Sequence, residues 1–578
     1  METRNGSRIG VVPVGGGESD IRVWVPAGER VEIEIEAKGS FELANLKDGY
    51  FGGTVKAAAG DRYRFKIDNG SSFPDPVSLF QPYGVHGPSE IIDHSRYEWC
   101  DENWKGVDRD SLVIYEIHVG TFTPEGTFRS AIERVDELVD LGVTALEIMP
   151  VAQAPGRWNW GYDAVNLFAP SHNYGHPDDM KALVDACHAK GLAVILDVVY
   201  NHIGPEGNYM ANYGPYFSKN HRTPWGDAFN FDEDFSTEVR NYIKENVRYW
   251  IEDFHLDGLR LDAINLMADN SKDRITHEIA RYVDDLRERS PRILHLIGET
   301  CVYDPELIEK GYDGVWSDEI PHAILSIVLN QTKVAERVYN GFADLEICLE
   351  KGFLYQWQEG EIRRCRTNNR ASYRQIIQGL QTHDQVGNHP LGHRIGELAG
   401  PAVQRASAAL TLLYPAIPFI FMGEEFATPS PFCFFVDFGD HWLRDAVIAG
   451  RKREYGHHDW QEFISPLDED TYLRSKLPSY SEGDELTLKW YRSLLQIRKE
   501  WLAKGIIAPD HFSVESDSGT GVVTLRYKNA WVTARLGDMQ SGCEDEVDLE
   551  GEVLLHSRNV TNGISSLAMN EAAVGYSG

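Results

Sequence analysis

The feature that most constrains the fold is a long alternation of short apolar runs with amphipathic segments, which begins at Leu112. Runs such as LVIYEIHV, LAVILDVV and ILHLIG have the length and composition of buried strands. Helical patterns separate them, for example at Pro177–Lys190 and Lys272–Arg289. Strands that alternate with helices pair in parallel, so this many units predict an α/β fold built on a (β/α)8 TIM barrel.

The segments on either side of this alternation have the period of antiparallel strands. IRVWVP, VEIEIEA and DRYRFKID precede it and GVVTLRYKNAWVTARLG follows it, each alternating apolar with polar residues. We therefore expect an immunoglobulin-like β-sandwich at residues 1–98, the barrel at 99–500 and a small β-sandwich at 501–578. The segment Phe73–Pro88, rich in proline and aromatic residues, predicts an ordered connector because its large apolar side chains need burial.

One barrel strand is predicted to end on a charged pair. In FHLDGLRLDA, Asp262 closes the apolar run and Arg260 lies two residues earlier, so both side chains point to the same face of an extended strand. A neighbouring guanidinium keeps a carboxylate ionised at neutral pH. Taken alone, the pair is as typical of a structural ion pair as of a catalytic site.

Other predicted strands also end on ionisable residues. LAVILDVVYNH ends in His202, ILHLIGE ends in Glu299, and His383 and Asp384 follow the apolar Ile376–Leu380. The carboxyl ends of parallel strands meet on one face of a barrel. These side chains are therefore expected to converge near Asp262.

Four short motifs, DVVYNH, DGLRLDA, GE and THDQ, occur in this order, each after an apolar run. In this respect the sequence resembles the α-amylase superfamily of glycoside hydrolases. Cleavage of a glycosidic bond requires one carboxylic acid and one carboxylate. Asp262 beside Arg260 is suited to be the ionised nucleophile, and Glu299 leaves an apolar run that would raise its pKa, as a general acid requires. The resemblance implies the same two roles, a third catalytic carboxylate at Asp384, and retention of configuration.

The resemblance also implies residues that bind the sugar. His202 and His383 correspond to imidazoles that bond the reactive sugar, and Tyr162 in WGYD corresponds to the aromatic ring that stacks under it. Arg260 belongs to the same set. Asn201 corresponds to a calcium position in some members, but no Asp-rich loop accompanies it, so we expect no required metal and no cofactor.

Several segments resemble one group within the superfamily, the maltooligosyl trehalose trehalohydrolases. The most specific are GPEGNYM, YFSKNHRTPWG and AGRKREY. This resemblance implies cleavage of the α-1,4 bond next to a terminal trehalose, with a carbohydrate-binding-module-like N-terminal sandwich. It also implies that Asp318, Glu319 and His322 are positioned to contact the leaving group. Ile320, Pro321 and Thr382 depart from the residues usual in that group.

Two other functions share this fold. A 1,4-α-glucan branching or debranching enzyme carries the same three carboxylates, and branching differs only in passing the glycosyl unit to a sugar hydroxyl. A non-catalytic binding protein of this fold usually lacks motif carboxylates and carries a membrane helix. Asp262, Glu299 and Asp384 are all present and no long apolar run is, which disfavours that alternative.

Composition limits the partners. With a net charge of −33, the chain is not expected to bind nucleic acid or an anionic membrane, and a neutral α-glucan suits it better. The start, METRNGSRIG, lacks the apolar core of a signal peptide. The seven cysteines lack metal-binding spacing, so free thiols in the cytoplasm are expected; they are Cys100, Cys187, Cys301, Cys348, Cys365, Cys433 and Cys543. We also expect a monomer or homodimer.

Overall fold

The computed structural model describes residues 8–334, 337–358, 361–364, 371–454, 463–508, 511–537, 546–562 and 564–577. Five cysteines within these ranges are free: Cys100, Cys187, Cys301, Cys348 and Cys433. The predicted thiols Cys365 and Cys543, and Tyr455 at the end of AGRKREY, lie outside the described residues.

The centre of the molecule is a closed barrel of eight parallel strands, which confirms the predicted (β/α)8 fold. We number them β1 to β8: Ile114–Ile117, Ala145–Ile148, Ala193–Val198, Gly258–Leu261, His295–Cys301, Gly314–Ser317, Ile376–Gly379 and Ile417–Phe421. Each strand pairs with the next, and β8 returns to β1, where Ile114 lies opposite Phe419. Both faces of the sheet are buried, which explains why the strands read as continuous apolar runs.

Helices connect the strands on the outside of the barrel. The helix Ser236–Arg248 illustrates why they form there: Val239, Ile243 and Val247 recur at helical spacing and are fully buried. The other α-helices are Val119–Phe122, Phe128–Ile132, Val135–Leu141, Pro177–Ala189, Ile275–Arg289, Pro305–Glu309, Glu319–Val328, Phe342–Lys351, His383–Gly387, Ile395–Leu398, Pro401–Leu412, His441–Glu454, Glu469–Arg474 and Glu485–Ala503.

Two helical predictions differ from the structure. The helical spacing of Ile132, Val135, Leu138 and Val139 predicts one helix from Phe128 to Leu141, but the structure has two helices there, and Val139 is 38% exposed. The sequence also predicts Ser236 or Thr237 as the N-cap of the helix before strand β4, but both residues lie within the helix Ser236–Arg248, and Phe235 occupies the cap position. Single turns of other helix types occur at His94–Arg96, Arg109–Ser111, Met210–Asn212, Tyr249–Asp253, Ile264–Leu266, Tyr373–Gln375, Glu424–Phe426 and Tyr480–Glu482.

The N-terminal region forms two antiparallel sheets whose inward residues share one core. The first contains Gly10–Gly15, Glu18–Trp24, Ala44–Asn45 and Tyr50–Val55; the second contains Val31–Ile35, Gly39–Glu42, Arg62–Ile67, Ser72–Phe73 and Ser89–Glu90.

The connector Phe73–Pro88 is docked on the barrel. The Tyr213 hydroxyl donates to the carbonyls of Phe73 and Pro74 at 3.0 and 2.8 Å, and Tyr242 donates to Pro76 at 3.0 Å.

The C-terminal region is a five-stranded antiparallel sheet after the last helix. Its strands are Ser513–Asp517, Val522–Arg526, Ala530–Arg535, Glu552–His556 and Glu571–Tyr576, beside the short pair Val547–Asp548 and Ser566–Leu567. Four further hairpins lie in barrel loops: Ala152–Gln153 with Asn166–Pro170, Phe217–Arg222 with Asp227–Phe229, Lys333–Val334 with Arg337–Val338, and Tyr355–Gln358 with Glu361–Arg364. Across the described ranges, none of the helices has the length and apolar character needed to cross a membrane.

Candidate active site

Asp262 directly follows strand β4 and is held on both sides. Its backbone N–H donates to Val198 on strand β3 at 3.0 Å, which continues the ladder past the end of β4. Its Oδ1 accepts from Arg260 Nη1 at 3.0 Å, and its Oδ2 accepts from Asn201 Nδ2 at 3.0 Å. A cation and an amide thus stabilise the charged carboxylate and fix its orientation.

Glu299 lies near the end of the neighbouring strand β5 and is almost completely buried. Its Oε2 accepts from the backbone N–H of Ala263 at 2.6 Å, and Arg260 Nη2 is 3.7 Å from the same oxygen. Burial raises the pKa of Glu299 to about 7; Arg260 opposes this rise and the Asp262 carboxylate adds to it. Glu299 therefore holds a proton at slightly acid pH, as a general acid must.

Arg260 joins three carboxyl groups at the centre of the site. Besides Asp262 and Glu299, its Nη1 donates to Asp197 Oδ2 at 2.7 Å, and its guanidinium lies 4.5 Å from the ring centroid of Trp316. Burial raises the pKa of Asp197 to about 6 against the opposing effect of Arg260. Sequence reasoning missed Asp197, although an acidic residue inside the apolar run LAVILDVV was a signal for it.

His383 and Tyr162 form a second bonded group beside the first. Tyr162 Oη is 2.6 Å from Asp197 Oδ2 and 2.8 Å from His383 Nε2, and the two rings stack with centroids 5.4 Å apart. His383 Nδ1 contacts Glu116 on strand β1. Burial alone would lower the pKa of His383, but the Glu116 and Asp384 carboxylates raise it to about 10.

A cavity of about 770 Å³ opens at this end of the barrel, within the size range of small-molecule sites. Five predicted residues lie together in its wall around the strand ends: Asp262, Glu299, Asp384, Tyr162 and His202. The Asp384 side chain is 46% exposed, so it remains open to a ligand. Arg260 and His383 touch these wall residues but do not line the cavity.

Two residues predicted for the leaving group also reach the cavity. Asp318 lines it and accepts from Trp316 Nε1 at 3.1 Å, and burial raises the pKa of its carboxyl group. His322 lines it too, with Nδ1 at 3.4 Å from the Tyr339 hydroxyl, and burial lowers its pKa to about 3.

Glu319 differs from the prediction. Its Oε1 accepts from the backbone N–H groups of Leu354 and Tyr355, at 3.1 Å in the first case, and the side chain does not line the cavity. The departures Ile320 and Pro321 are buried on the same helix and do not line it either. The sequence pattern could not distinguish Asp318 from Glu319 because only the start of the helix decides which side chain faces the cavity.

Loops supply further wall residues. One lies in the long loop Gly204–Phe231, whose length and content of Gly, Asn, Tyr and Trp predict a functional role, and another lies in a hairpin that the predictions did not include. Trp225, within the TPWG segment, is 43% exposed and its ring lies 5.4 Å from that of His202. Arg337 comes from a hairpin, and its Nη1 donates to the carbonyl of Cys301 at 3.0 Å. Loop residues such as these carry no periodic signal, so their position depends on the folded barrel.

The possible metal position has another role here. The Asn201 side chain donates to both the backbone carbonyl and the carboxylate of Asp262, at 2.8 and 3.0 Å. Within the described residues, no group of three or more His, Cys, Asp or Glu side chains is arranged to hold a metal ion.

The site as a whole offers a proton donor, Glu299, and a carboxylate, Asp262, which the guanidinium of Arg260 bridges. This arrangement suits acid-assisted displacement at a sugar carbon.

Comparisons with known proteins agree with this chemistry. A family model, the Alpha-amylase catalytic domain, matches residues 96–229. The malto-oligosyltrehalose trehalohydrolase of Saccharolobus solfataricus is 42% identical over 505 residues, covering 86% of this chain and 87% of the relative. The Arthrobacter ramosus protein of that name is 37% identical, with 89% and 92% covered. A crystal structure of a proposed alpha amylase from Salmonella typhimurium superposes with a TM-score of 0.87 at 34% identity, covering 99% of each chain. The chain therefore belongs to the malto-oligosyltrehalose trehalohydrolase family.

Proposed function

We propose that the protein is a retaining α-glycoside hydrolase that cleaves the α-1,4-glucosidic bond next to the terminal trehalose of maltooligosyl trehalose. The products are free trehalose and a maltooligosaccharide. The observation that carries the reaction type is the pair Asp262 and Glu299, which Arg260 joins and which line the same cavity. The names of the relatives support the substrate.

The reaction proceeds in two displacements. In the first, an Asp262 carboxylate oxygen attacks the anomeric carbon while Glu299 gives its proton to the glycosidic oxygen, which leaves on trehalose. The product is a glycosyl ester of Asp262. In the second, the Glu299 carboxylate takes a proton from water, the water oxygen attacks the same carbon, and Asp262 leaves. Two inversions at one carbon restore the original configuration.

The remaining wall residues orient the sugar. Asp384 and His202 bond hydroxyl groups of the reacting ring, and the Tyr162 ring packs against its face. Arg260 and His383 act from behind this wall by holding Asp262 and Tyr162. This division of roles follows from which side chains line the cavity; the ring nitrogens of His202 also contact Asn201 and the Tyr162 carbonyl.

Asp318 and His322 contact the trehalose leaving group. Both side chains reach the same cavity as the catalytic pair, and neither has its polar atoms fully occupied by other side chains in the described contacts. A site that bonds the hydroxyls of trehalose rejects a sugar that leaves those polar groups unpaired, at a cost of about 1–3 kcal/mol for each.

We also propose the domain limits 1–98, 99–500 and 501–578, a cytoplasmic location, and a monomer or homodimer that requires neither metal nor cofactor. The free thiols of the five described cysteines support a reducing compartment. The docked connector supports an N-terminal domain that packs on the barrel and does not move independently.

Product analysis tests the proposal. The purified protein is incubated separately with maltooligosyl trehalose, with maltopentaose and with amylose, and trehalose and glucans are measured by chromatography. We expect maltooligosyl trehalose to be cleaved faster than maltopentaose, with release of trehalose. The Asp262→Asn variant should lose this cleavage activity. Equal rates on both substrates, or branched glucan formed from amylose, would replace the proposal with a branching or debranching activity.

A further inference from the structure

We propose that Glu116 on strand β1 is a positioning residue that keeps both ring nitrogens of His383 protonated and thereby fixes Tyr162 in the cavity wall. Glu116 is fully buried and does not reach the cavity. The effect on catalysis rests on the proposed function, but the effect on His383 does not. No step of the reaction uses Glu116 directly.

Within the described residues, the hydrogen bonds of the Glu116 carboxylate go to a single residue. Its Oε2 accepts from the backbone N–H of His383 at 3.1 Å, and its Oε1 contacts His383 Nδ1. On the opposite side of the ring, His383 Nε2 lies 2.8 Å from Tyr162 Oη. The imidazole is therefore held between a carboxylate and a phenol, and it is only 1% exposed.

Counting protons defines the state of this ring. Tyr162 has one hydroxyl proton, and Asp197 Oδ2 lies 2.6 Å from its oxygen. That carboxylate oxygen also accepts a hydrogen bond from Arg260 at 2.7 Å, so it is an acceptor, and the Tyr162 hydroxyl donates its hydrogen to it. His383 Nε2 must then donate to the Tyr162 oxygen. Since Nδ1 faces the Glu116 carboxylate, both nitrogens carry hydrogen.

The charges around His383 agree with this state. Burial disfavours the imidazolium, Glu116 and Asp384 favour it, Arg260 opposes it, and the resulting pKa is about 10. Ionisable groups interact with it from several elements, and Asp197 lies beyond Tyr162; the groups are Glu116, His118, Glu147, Tyr162, Arg260 and Asp384. Glu116 is the only one of these that bonds Nδ1 in the described contacts.

The consequence extends to the nucleophile. Hydrogen bonds run from His383 through Tyr162, Asp197 and Arg260 to Asp262. If His383 lost the Nε2 proton, Tyr162 would have two acceptors for one proton, and its ring would no longer be fixed against Asp197. A displaced wall residue of this kind costs roughly 100-fold in rate.

Glu116→Gln tests the inference, with Glu147→Gln as the matched control. Glu147 is an equally buried carboxyl group on the neighbouring strand β2, and neither of its oxygens has a hydrogen-bond partner within the described residues. The direct measurement is the ¹⁵N signal of the His383 ring in histidine-labelled protein, assigned by its disappearance in His383→Gln. The second measurement is kcat and KM between pH 5 and 9.

In the wild type and in Glu147→Gln, the His383 signal should remain that of imidazolium through pH 8. In Glu116→Gln, the ring should lose its charge at a pH below 7, so its signal at pH 8 should be that of neutral imidazole. The kcat should fall roughly 100-fold with little change in KM, and the alkaline limb of the rate profile should move to lower pH. An imidazolium signal that persists in Glu116→Gln, or the same change in Glu147→Gln, would overturn the inference.

Two outcomes separate this inference from the proposed function. If the wild type releases no trehalose, the function is wrong, yet the ring signal still reports on Glu116. If Glu116→Gln does not fold, Glu116→Asp replaces it: its carboxylate should leave His383 charged and Tyr162 bonded, so kcat should stay close to the wild-type value. A neutral His383 in Glu116→Asp would contradict the role of the carboxylate charge.

Discussion

Glu299→Gln should lower the activity strongly and, above pH 7, make the protein more stable. The wild-type carboxyl group has a pKa of about 7 in place of 4.5 because burial opposes its charge. Gln has the same shape, and its amide oxygen can still accept a hydrogen bond from the backbone N–H of Ala263, which lies 2.6 Å from Glu299 Oε2 in the wild type. The substitution therefore removes the ionisation and keeps the main contact.

The sign of the stability effect follows from proton binding. Since the folded pKa of Glu299 lies above the unfolded value, its contribution to stability is fully present below pH 4.5 and is lost as pH rises through about 7. At about 1.4 kcal/mol for each tenfold change in proton affinity, the ionised group costs about 3 kcal/mol at pH 8 and under about 1 kcal/mol at pH 5. Gln carries no such cost.

Thermal unfolding at pH 5 and pH 8 measures this difference. The melting temperature of Glu299→Gln should exceed that of the wild type at pH 8 and be close to it at pH 5. Its kcat should fall roughly 10²- to 10⁴-fold, as expected for loss of a general acid. Glu309→Gln, an exposed substitution on the helix that follows strand β5, should change neither quantity.

The wild-type rate profile provides the matching result. With a pKa of about 7, Glu299 is protonated in about nine-tenths of molecules at pH 6 and in about one-tenth at pH 8. The rate should decline accordingly on the alkaline side. A wild-type profile that stays flat to pH 9, together with an unchanged melting temperature in Glu299→Gln at pH 8, would refute the assignment of Glu299 as a buried acid.

Three further predictions concern the nucleophile, metals and the connector. Asp262→Asn should lower kcat by roughly 10⁴-fold or more without loss of folded structure, and near-normal turnover would exclude Asp262 as the nucleophile. Dialysis against EDTA should leave activity and melting temperature unchanged, whereas a loss that Ca²⁺ reverses would reveal a metal requirement. Limited proteolysis should spare the connector Phe73–Pro88, because barrel tyrosines bond its backbone; rapid cleavage at Gly84–Gly87 would contradict this.

The barrel and the residues at its strand ends could be predicted from the sequence. The fold follows from buried parallel strands, which must be apolar on both faces, and Asp262 and Glu299 interrupt that pattern where their strands end. Glu116, Glu147 and Asp197 were missed because they lie inside apolar runs. An acidic residue in such a run requires a partner or a proton, so each was a signal for the inner network.

Other features could not be predicted because they depend on tertiary contacts. Arg337 reaches the cavity only through the hairpin that carries it, and Glu319 turns to the backbone of Leu354 and Tyr355 while its neighbour Asp318 lines the cavity. Local pattern does not encode either direction. The break between Phe128–Ile132 and Val135–Leu141 likewise leaves Val139 exposed despite an uninterrupted helical period.

The most direct test is to trap the glycosyl-enzyme. In Glu299→Gln, α-maltosyl fluoride can form the ester because fluoride leaves without a proton, but the ester is hydrolysed slowly because no base activates water. Mass spectrometry of the intact protein and of its peptides locates the added sugar. The mechanism predicts one maltosyl group on the peptide that contains Asp262, specifically on its carboxylate. A sugar on Asp384, or release of product with inverted configuration and no adduct, would contradict it.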